Sequence, residues 1–125
     1  MTWTLILASA RHIVRESNSI RDGSWQTSIG RELDGKVLGV LGLGNIGREV
    51  ARVGIAFGMK IIAWSQNMTP EIAEAAGATL VTKEELFRQA DVATVQKTNI
   101  IRATASVISR PRSSSTKAMR DRSPQ

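Results

Sequence analysis

The sequence predicts an α/β fold: an incomplete, doubly wound parallel sheet of about four strands, entered from a linking helix and followed by a disordered tail. Three observations lead there. Between residues 36 and 95, apolar runs alternate with segments of helical period, and strands alternating with helices form parallel sheets through right-handed crossovers. The turn after the first apolar run is rich in glycine, Gly42-Leu43-Gly44-Asn45-Ile46-Gly47. Finally, residues 1–96 carry ten Lys/Arg and ten Asp/Glu, whereas residues 97–125 carry seven basic residues against Asp121 alone. The net charge of +6 therefore belongs entirely to the tail and says little about the domain.

Each element has its own signal. Residues 2–17 place Trp3, Ile6, Leu7, Ala10, Ile13 and Val14 at three- and four-residue steps, the stripe of one amphipathic helix. Residues 18–34 are polar and glycine-bearing and read as a connecting loop with Trp25 as its large apolar anchor. The first strand is Lys36 to Leu41. The helix after the glycines puts Ile46, Val50, Val53 and Phe57 on one face and stops at Gly58. Gly54 inside it costs about 1 kcal/mol relative to alanine, which points to close packing there. The second strand is Lys60 to Trp64. Thr69-Pro70-Glu71 starts a helix with a cap, a proline at the first position and an acid in the first turn, and that helix ends at Gly77. Ala78 to Val81 is a short third strand, Thr82-Lys83-Glu84-Glu85 a capping box opening a helix through Gln89, and Asp91 to Val95 the fourth strand. Three regions follow: 1–34, a linking helix and loop; 35–96, a partial dinucleotide-binding domain; and 97–125, a basic Ser/Arg-rich tail.

The glycines give a mechanism. Set between a buried strand and a helix start, they form the fingerprint of a dinucleotide-binding, Rossmann-type unit. Gly42 permits the tight turn, Gly44 lets the backbone approach a pyrophosphate, and Gly47 lets helix and strand pack closely. The free amides at Asn45, Ile46 and Gly47, on the positive end of the new helix, face the phosphates. About 20 residues past the glycines an acid usually binds the adenosine ribose and disfavours a 2′-phosphate. Ser65 stands there instead, within Trp64-Ser65-Gln66-Asn67. Ser65 or Asn67 can donate to a hydroxyl or a phosphate, so the cofactor is NAD or NADP. Trp64 reads as packing rather than base-stacking.

Other chemistries are bounded by composition. The 125 residues contain no Cys, which excludes disulfides, thiolate catalysis and Cys-ligated metals. No apolar run is long enough to span a bilayer. The start MTWTLILASARH lacks a basic leader and keeps a helical pattern, so it reads as structure rather than a signal peptide, and a cytoplasmic location is expected. The one histidine, His12, has no carboxylate partner that the pattern identifies, and a structural or surface role is expected. Glu84 and Glu85 point to different faces of a helix, with Glu85 better used in the capping box than as half of an acid/base pair. Asp91 reads as the end of the preceding helical region. No metal site is expected.

With these elements placed, TLILASARHI, the loop ending in Trp25-Gln26, ELDGKVLGVLGLGNIGREVAR, AFGMKIIAWSQN and TKEELFRQADV together resemble the nicotinamide-binding domain of D-isomer-specific 2-hydroxyacid dehydrogenases, over about residues 2–95. The group includes phosphoglycerate dehydrogenase-like and hydroxypyruvate reductase-like enzymes. The resemblance implies hydride transfer between a 2-hydroxy acid and NAD(P), a linking role for residues 2–17, and a homodimer formed partly through residues 2–34. It also implies a substrate domain before this point, where the chain begins at Met1, and a catalytic arginine, glutamate and histidine after the fourth strand. The stretch from Lys97 does not follow that pattern, so no catalytic residue is carried over and an inactive, truncated form is expected. The fourth strand would then be an exposed edge.

Two explanations of the tail stay open. It is either a serine/arginine-type segment contacting RNA or another polyanion, or the product of a shifted reading frame or gene truncation. The second is favoured because the break falls within a fold element. The alternatives to a dehydrogenase portion are a non-catalytic dinucleotide-binding or interaction module and a basic protein that binds nucleic acid through its tail; nucleic acid is not the expected partner.

Overall fold

Four apolar runs become four parallel strands because each can bury both of its faces under helices. In the computed structural model, which describes residues 1–96 and the backbone of residues 107–109, they are β1 (Val37–Leu41), β2 (Lys60–Trp64), β3 (Ala78–Leu80) and β4 (Val92–Val95). Their helices are α1 (Thr2–Arg11), α2 (Ile13–Arg21), α3 (Asn45–Ala56), α4 (Pro70–Ala75) and α5 (Lys83–Gln89). The sheet order is β3-β2-β1-β4-β5, with β5 at Val107–Ser109. Val40 in central β1 lies opposite Ala63 on one side and Thr94 on the other. One apolar cluster joins Ile6, Leu38, Val40, Val50, Ala51 and Ile61 on the α1 and α3 side. A second joins Leu41, Ile62, Leu86, Ala90 and Ala93 on the α5 side.

The α/β order and the four parallel strands agree with the sequence reading, and four details correct it. The first helix is two. His12 takes a left-handed conformation (φ 54°, ψ 39°), ending α1 and opening α2, and helix continues to Arg21 where a loop was expected. A single stripe of three- and four-residue steps cannot reveal such a break, since the spacing is kept while the axis turns. Below the break the stripe stops being core: Ile6 and Ala10 are buried, but Ile13 and Val14 are 53% and 72% exposed. Trp25 is 83% exposed and anchors nothing among the described residues.

On α3 the inward face is rotated from the expected one. Gly47, Val50, Ala51 and Gly54 are buried, while Ile46 is 60% exposed. Small residues win because they let the helix lie close on the sheet. A Cβ on Gly54 would come within 2.9 Å of both Ile61 Cδ1 and Leu38 Cδ2, so the helix-propensity loss at this glycine is the cost of close approach. Phe57, just past the helix, stacks on Trp3 with ring centroids 5.1 Å apart. The helix stops at Gly58 (φ +75°), as its sequence signals.

The fourth correction is at the edge. β4 is not open: Val92, Ala93 and Thr94 pair antiparallel with Ser109, Ile108 and Val107. An unpaired strand edge seeks a partner, and here Val107–Ser109, further along the chain, provides it. The disorder expected for the rest of residues 97–125 lies outside the described residues.

Candidate dinucleotide-binding site

The site is built at the carboxyl edge of the sheet, where β1 runs out between its two neighbours. The Gly42 amide donates to the Trp64 carbonyl at 2.8 Å, and the Leu41 carbonyl accepts from the Gln96 amide at 2.8 Å. The backbone must turn sharply there, and Gly42 does so at φ +92°, a conformation that strains any residue with a side chain. A Cβ on Gly42 would also run into the Gln96 carbonyl. Gly47, one turn into α3, faces back on the same loop: its Cβ would strike the Gly42 carbonyl and press on Val40 Cγ1 at 3.3 Å. The turn is therefore wrapped closely enough that two of its glycines have no substitute.

Between them Gly44 forms the N-cap of α3 in an extended conformation, its carbonyl accepting from the Arg48 amide at 2.9 Å. No side chain caps this helix, and its first turn holds no acid. The N-terminal partial charge of a twelve-residue helix is thus uncompensated by the described residues, at a place where Asn45 and Ile46 are exposed. Such an end favours an anion. Ser65, half-buried, begins at the same edge, because the preceding Trp64 carbonyl is the one that holds the Gly42 amide. The structure thus brings Gly42, Gly44, Asn45, Ile46 and Gly47 into one turn, and ties it by a backbone bond to the strand that ends at Ser65.

The remaining candidates have structural work. Trp64 packs partly buried against the Leu41, Ile62 and Leu86 cluster, as expected. His12 is a helix junction. Glu85 completes the capping box: its carboxylate accepts from the Thr82 amide at 3.0 Å, while Thr82 Oγ1 accepts from the Glu85 amide at 3.2 Å. Hydrogen bonding from the Thr82 amide first, and then from the Thr82 side chain, holds its carboxyl below the usual carboxylate value. Asp91 accepts the Val37 amide at 2.9 Å, fixing the start of β1. Among the described residues no three His, Asp or Glu side chains are grouped to hold a metal ion.

Sequence reasoning missed a polar knot beside the turn. The Gln96 side-chain amide donates to Thr94 Oγ1 at 2.9 Å and to Thr2 Oγ1 at 3.1 Å. It ties the start of α1 to the end of β4, with Thr94 fully buried. The one available signal was a threonine inside an apolar strand. A second pair of groups, Lys83 and Trp64, also meets here: the Lys83 ammonium stands 5.6 Å from the Trp64 ring centroid.

Known proteins share this arrangement. The chain is 41% identical over 103 residues to a glyoxylate reductase of Aeropyrum pernix, covering 75% of this chain and 31% of that protein. It superposes on a phosphoglycerate oxidoreductase from Vibrio cholerae with a TM-score of 0.72 at 36% identity, over 77% of this chain and 32% of the other. It superposes also on a D-lactate dehydrogenase from Aquifex aeolicus, complexed with NAD and lactic acid, with a TM-score of 0.70 at 27% identity, over 77% of this chain and 29% of the other. The chain thus spans under a third of the length of these proteins. Residues 3–118 match the family described as D-isomer specific 2-hydroxyacid dehydrogenase, NAD binding domain. A match of that extent, on a glycine cradle whose geometry admits no side chains at Gly42 and Gly47, means that the chain belongs to the D-isomer specific 2-hydroxyacid dehydrogenase family, as its dinucleotide-binding domain.

Proposed function

We propose that Gly42, Gly44, Asn45, Ile46, Gly47 and Ser65 hold the adenosine and pyrophosphate of a nicotinamide dinucleotide. The chain would then serve as the cofactor-binding portion of an oxidoreductase acting on the CH–OH group of 2-hydroxy acids. The observation that carries this reading is the cradle itself: a turn closed so tightly by the Gln96 and Gly42 carbonyls that only glycine fits, opening onto an uncapped helix end. The turn positions amides for the pyrophosphate, α3 contributes its positive end, and Ser65 offers a hydroxyl to the ribose. The dinucleotide, when bound, supplies the hydride chemistry.

The 125-residue chain by itself does not complete that chemistry. Its one histidine, His12, is a half-buried helix junction, and on this reading the stretch from Lys97 supplies no counterpart of the arginine, glutamate and histidine that the resemblance implies. The reading divides the chain into a linking region 1–34, a cofactor-binding region 35–96 and a basic segment 97–125. It pairs two copies through α1, α2 and the following loop, and it places the protein in the cytoplasm. Among the described residues no helix is long and apolar enough to cross a membrane.

The test is calorimetric titration of NAD and NADP into the purified chain and its Gly44→Val variant. The wild-type chain is expected to bind at least one dinucleotide, weakly. The folded variant should lose at least about tenfold in affinity, a difference of about 1.4 kcal/mol. Undiminished binding by the variant would overturn the assignment, and oxidation of any 2-hydroxy acid by the purified chain would overturn its inactivity.

A further inference from the structure

The choice between the two dinucleotides turns on the end of β2, and the structure adds a charge there that sequence order hides. Residues 64–69, Trp-Ser-Gln-Asn-Met-Thr, contain no acid. An aspartate or glutamate in this place binds the ribose diol and repels a 2′-phosphate. The next acid, Glu71, already accepts a hydrogen bond from the Thr69 hydroxyl, the main cause of its lowered pKa. Across the edge, the Val81 amide donates to the Ala63 carbonyl at 3.0 Å, which folds the segment after β3 back beside the end of β2. That contact is why Lys83, eighteen residues beyond Ser65, places its ammonium 5.6 Å from the ring of Ser65's neighbour, Trp64.

We propose that Lys83 makes this chain selective for the 2′-phosphorylated dinucleotide, sharing the 2′-phosphate with the hydroxyl of Ser65 and the amide of Asn67. The inference rests on the dinucleotide reading above and names the cofactor that reading leaves open. Lys83 is exposed and makes no ion pair among the described residues. Of the adjacent acids, Glu85 is committed to the Thr82 amide and Glu84 is exposed. A cation resting on a partly exposed indole is held weakly. Its flexible four-carbon stem lets it turn to a dianion, and lysine serves phosphates as such a mobile point charge. A lysine elsewhere on this surface would be a solvated charge. At the end of the second strand, where the discriminating acid is missing, it is the selecting group.

The experiment titrates NADP⁺, NAD⁺, adenosine 2′,5′-bisphosphate and ADP into the full 125-residue chain by calorimetry, at low and moderate salt. NADP⁺ and the bisphosphate should bind about tenfold tighter than NAD⁺ and ADP, with the gap narrowing as salt screens the phosphate. Lys83→Gln should erase most of that advantage and leave NAD⁺ affinity unchanged, Lys83→Arg should keep it, and Ser65→Asp should reverse it. Equal affinities in the wild-type chain would overturn the proposal, as would a Lys83→Gln variant that weakens both dinucleotides alike or neither. If the folded chain binds neither dinucleotide, the cofactor reading falls and this inference falls with it. If NAD⁺ binds and NADP⁺ has no advantage, only the selectivity fails.

Discussion

The glycine turn and the N-terminal helices carry equally regular sequence patterns, yet they meet opposite fates in the fold. In the turn, two of the three glycines are fixed by close backbone contacts: Gly42 by the Gln96 carbonyl and Gly47 by the Gly42 carbonyl. In the helices, the apolar stripe runs unbroken through the sequence, but only its first half, around Ile6 and Ala10, reaches the core. The second half, past His12, leaves Ile13, Val14 and Ile20 between 53% and 72% exposed, with Trp25 and Ile29 beyond them more exposed still. Periodicity says that a face is apolar. It does not say whether the covering surface belongs to the same chain.

Breaking the turn should have the largest effect. Gly42→Ala combines a strained φ of +92° with a methyl group aimed at the Gln96 carbonyl, and should cost about 3 kcal/mol of unfolding free energy. The loss would be read as a fall in the denaturation midpoint at unchanged slope. A variant as stable as the wild type would mean that β1 and β4 can part at this edge, and the cradle would not be the rigid element argued above.

This contrast also marks how far the site was legible. The order of strands and helices, the capping box at Thr82 and the glycine cradle rest on short-range rules, and the structure follows them. The knot of Gln96 with Thr94 and Thr2, and the approach of Lys83 to Trp64, arise only when parallel crossovers bring distant segments to one edge. Strand β5 was illegible for a related reason. Val107-Ile108 is a two-residue apolar step between serines, too short for a period, and it is recruited by an edge that already exists. On α3 the large apolar residues define a stripe that is not the buried one, since Ile46 is exposed while Gly47 and Gly54 are buried. At Gly47 and Gly54 the closeness of the sheet favours no side chain at all.

A smaller, local effect sharpens the other half of the comparison. The loop after α2 is held to it by Glu16, whose carboxylate accepts from the Ser28 hydroxyl at 2.5 Å, and from the Thr27 amide and hydroxyl at 3.0 Å each. These bonds, Ser28 first, hold its pKa below the ordinary 4.5. A depressed carboxylate stabilises fully above the unfolded value and loses its contribution as pH falls through the folded one. The loop should therefore stay docked at pH 5 and release only below pH 4.5. In an NMR titration the Thr27 amide shift should move with a midpoint under 4.5 and stand still in Glu16→Gln. A midpoint at or above 4.5 would mean that the loop is not held by this carboxylate.

The smallest expected change in stability is the most informative about the exposed face. Val14 at 72% and Ile13 at 53% exposure make little contact within the chain. Replacing both with serine should therefore shift the stability of the isolated subunit by no more than about 0.5 kcal/mol. If a second copy covers this face, as proposed, the same change acts on association instead, because apolar area hidden in a dimer is worth about 25 cal/mol per Å². Sedimentation across a concentration series should show the wild-type chain shifting from monomer to dimer and the double variant remaining monomeric, with matching denaturation curves at low concentration. Should both proteins sediment as dimers of equal strength, the pairing surface lies elsewhere. Should the double variant instead unfold easily while still a monomer, these side chains are core after all. The break at His12 would then not divide the chain's interior from its surface.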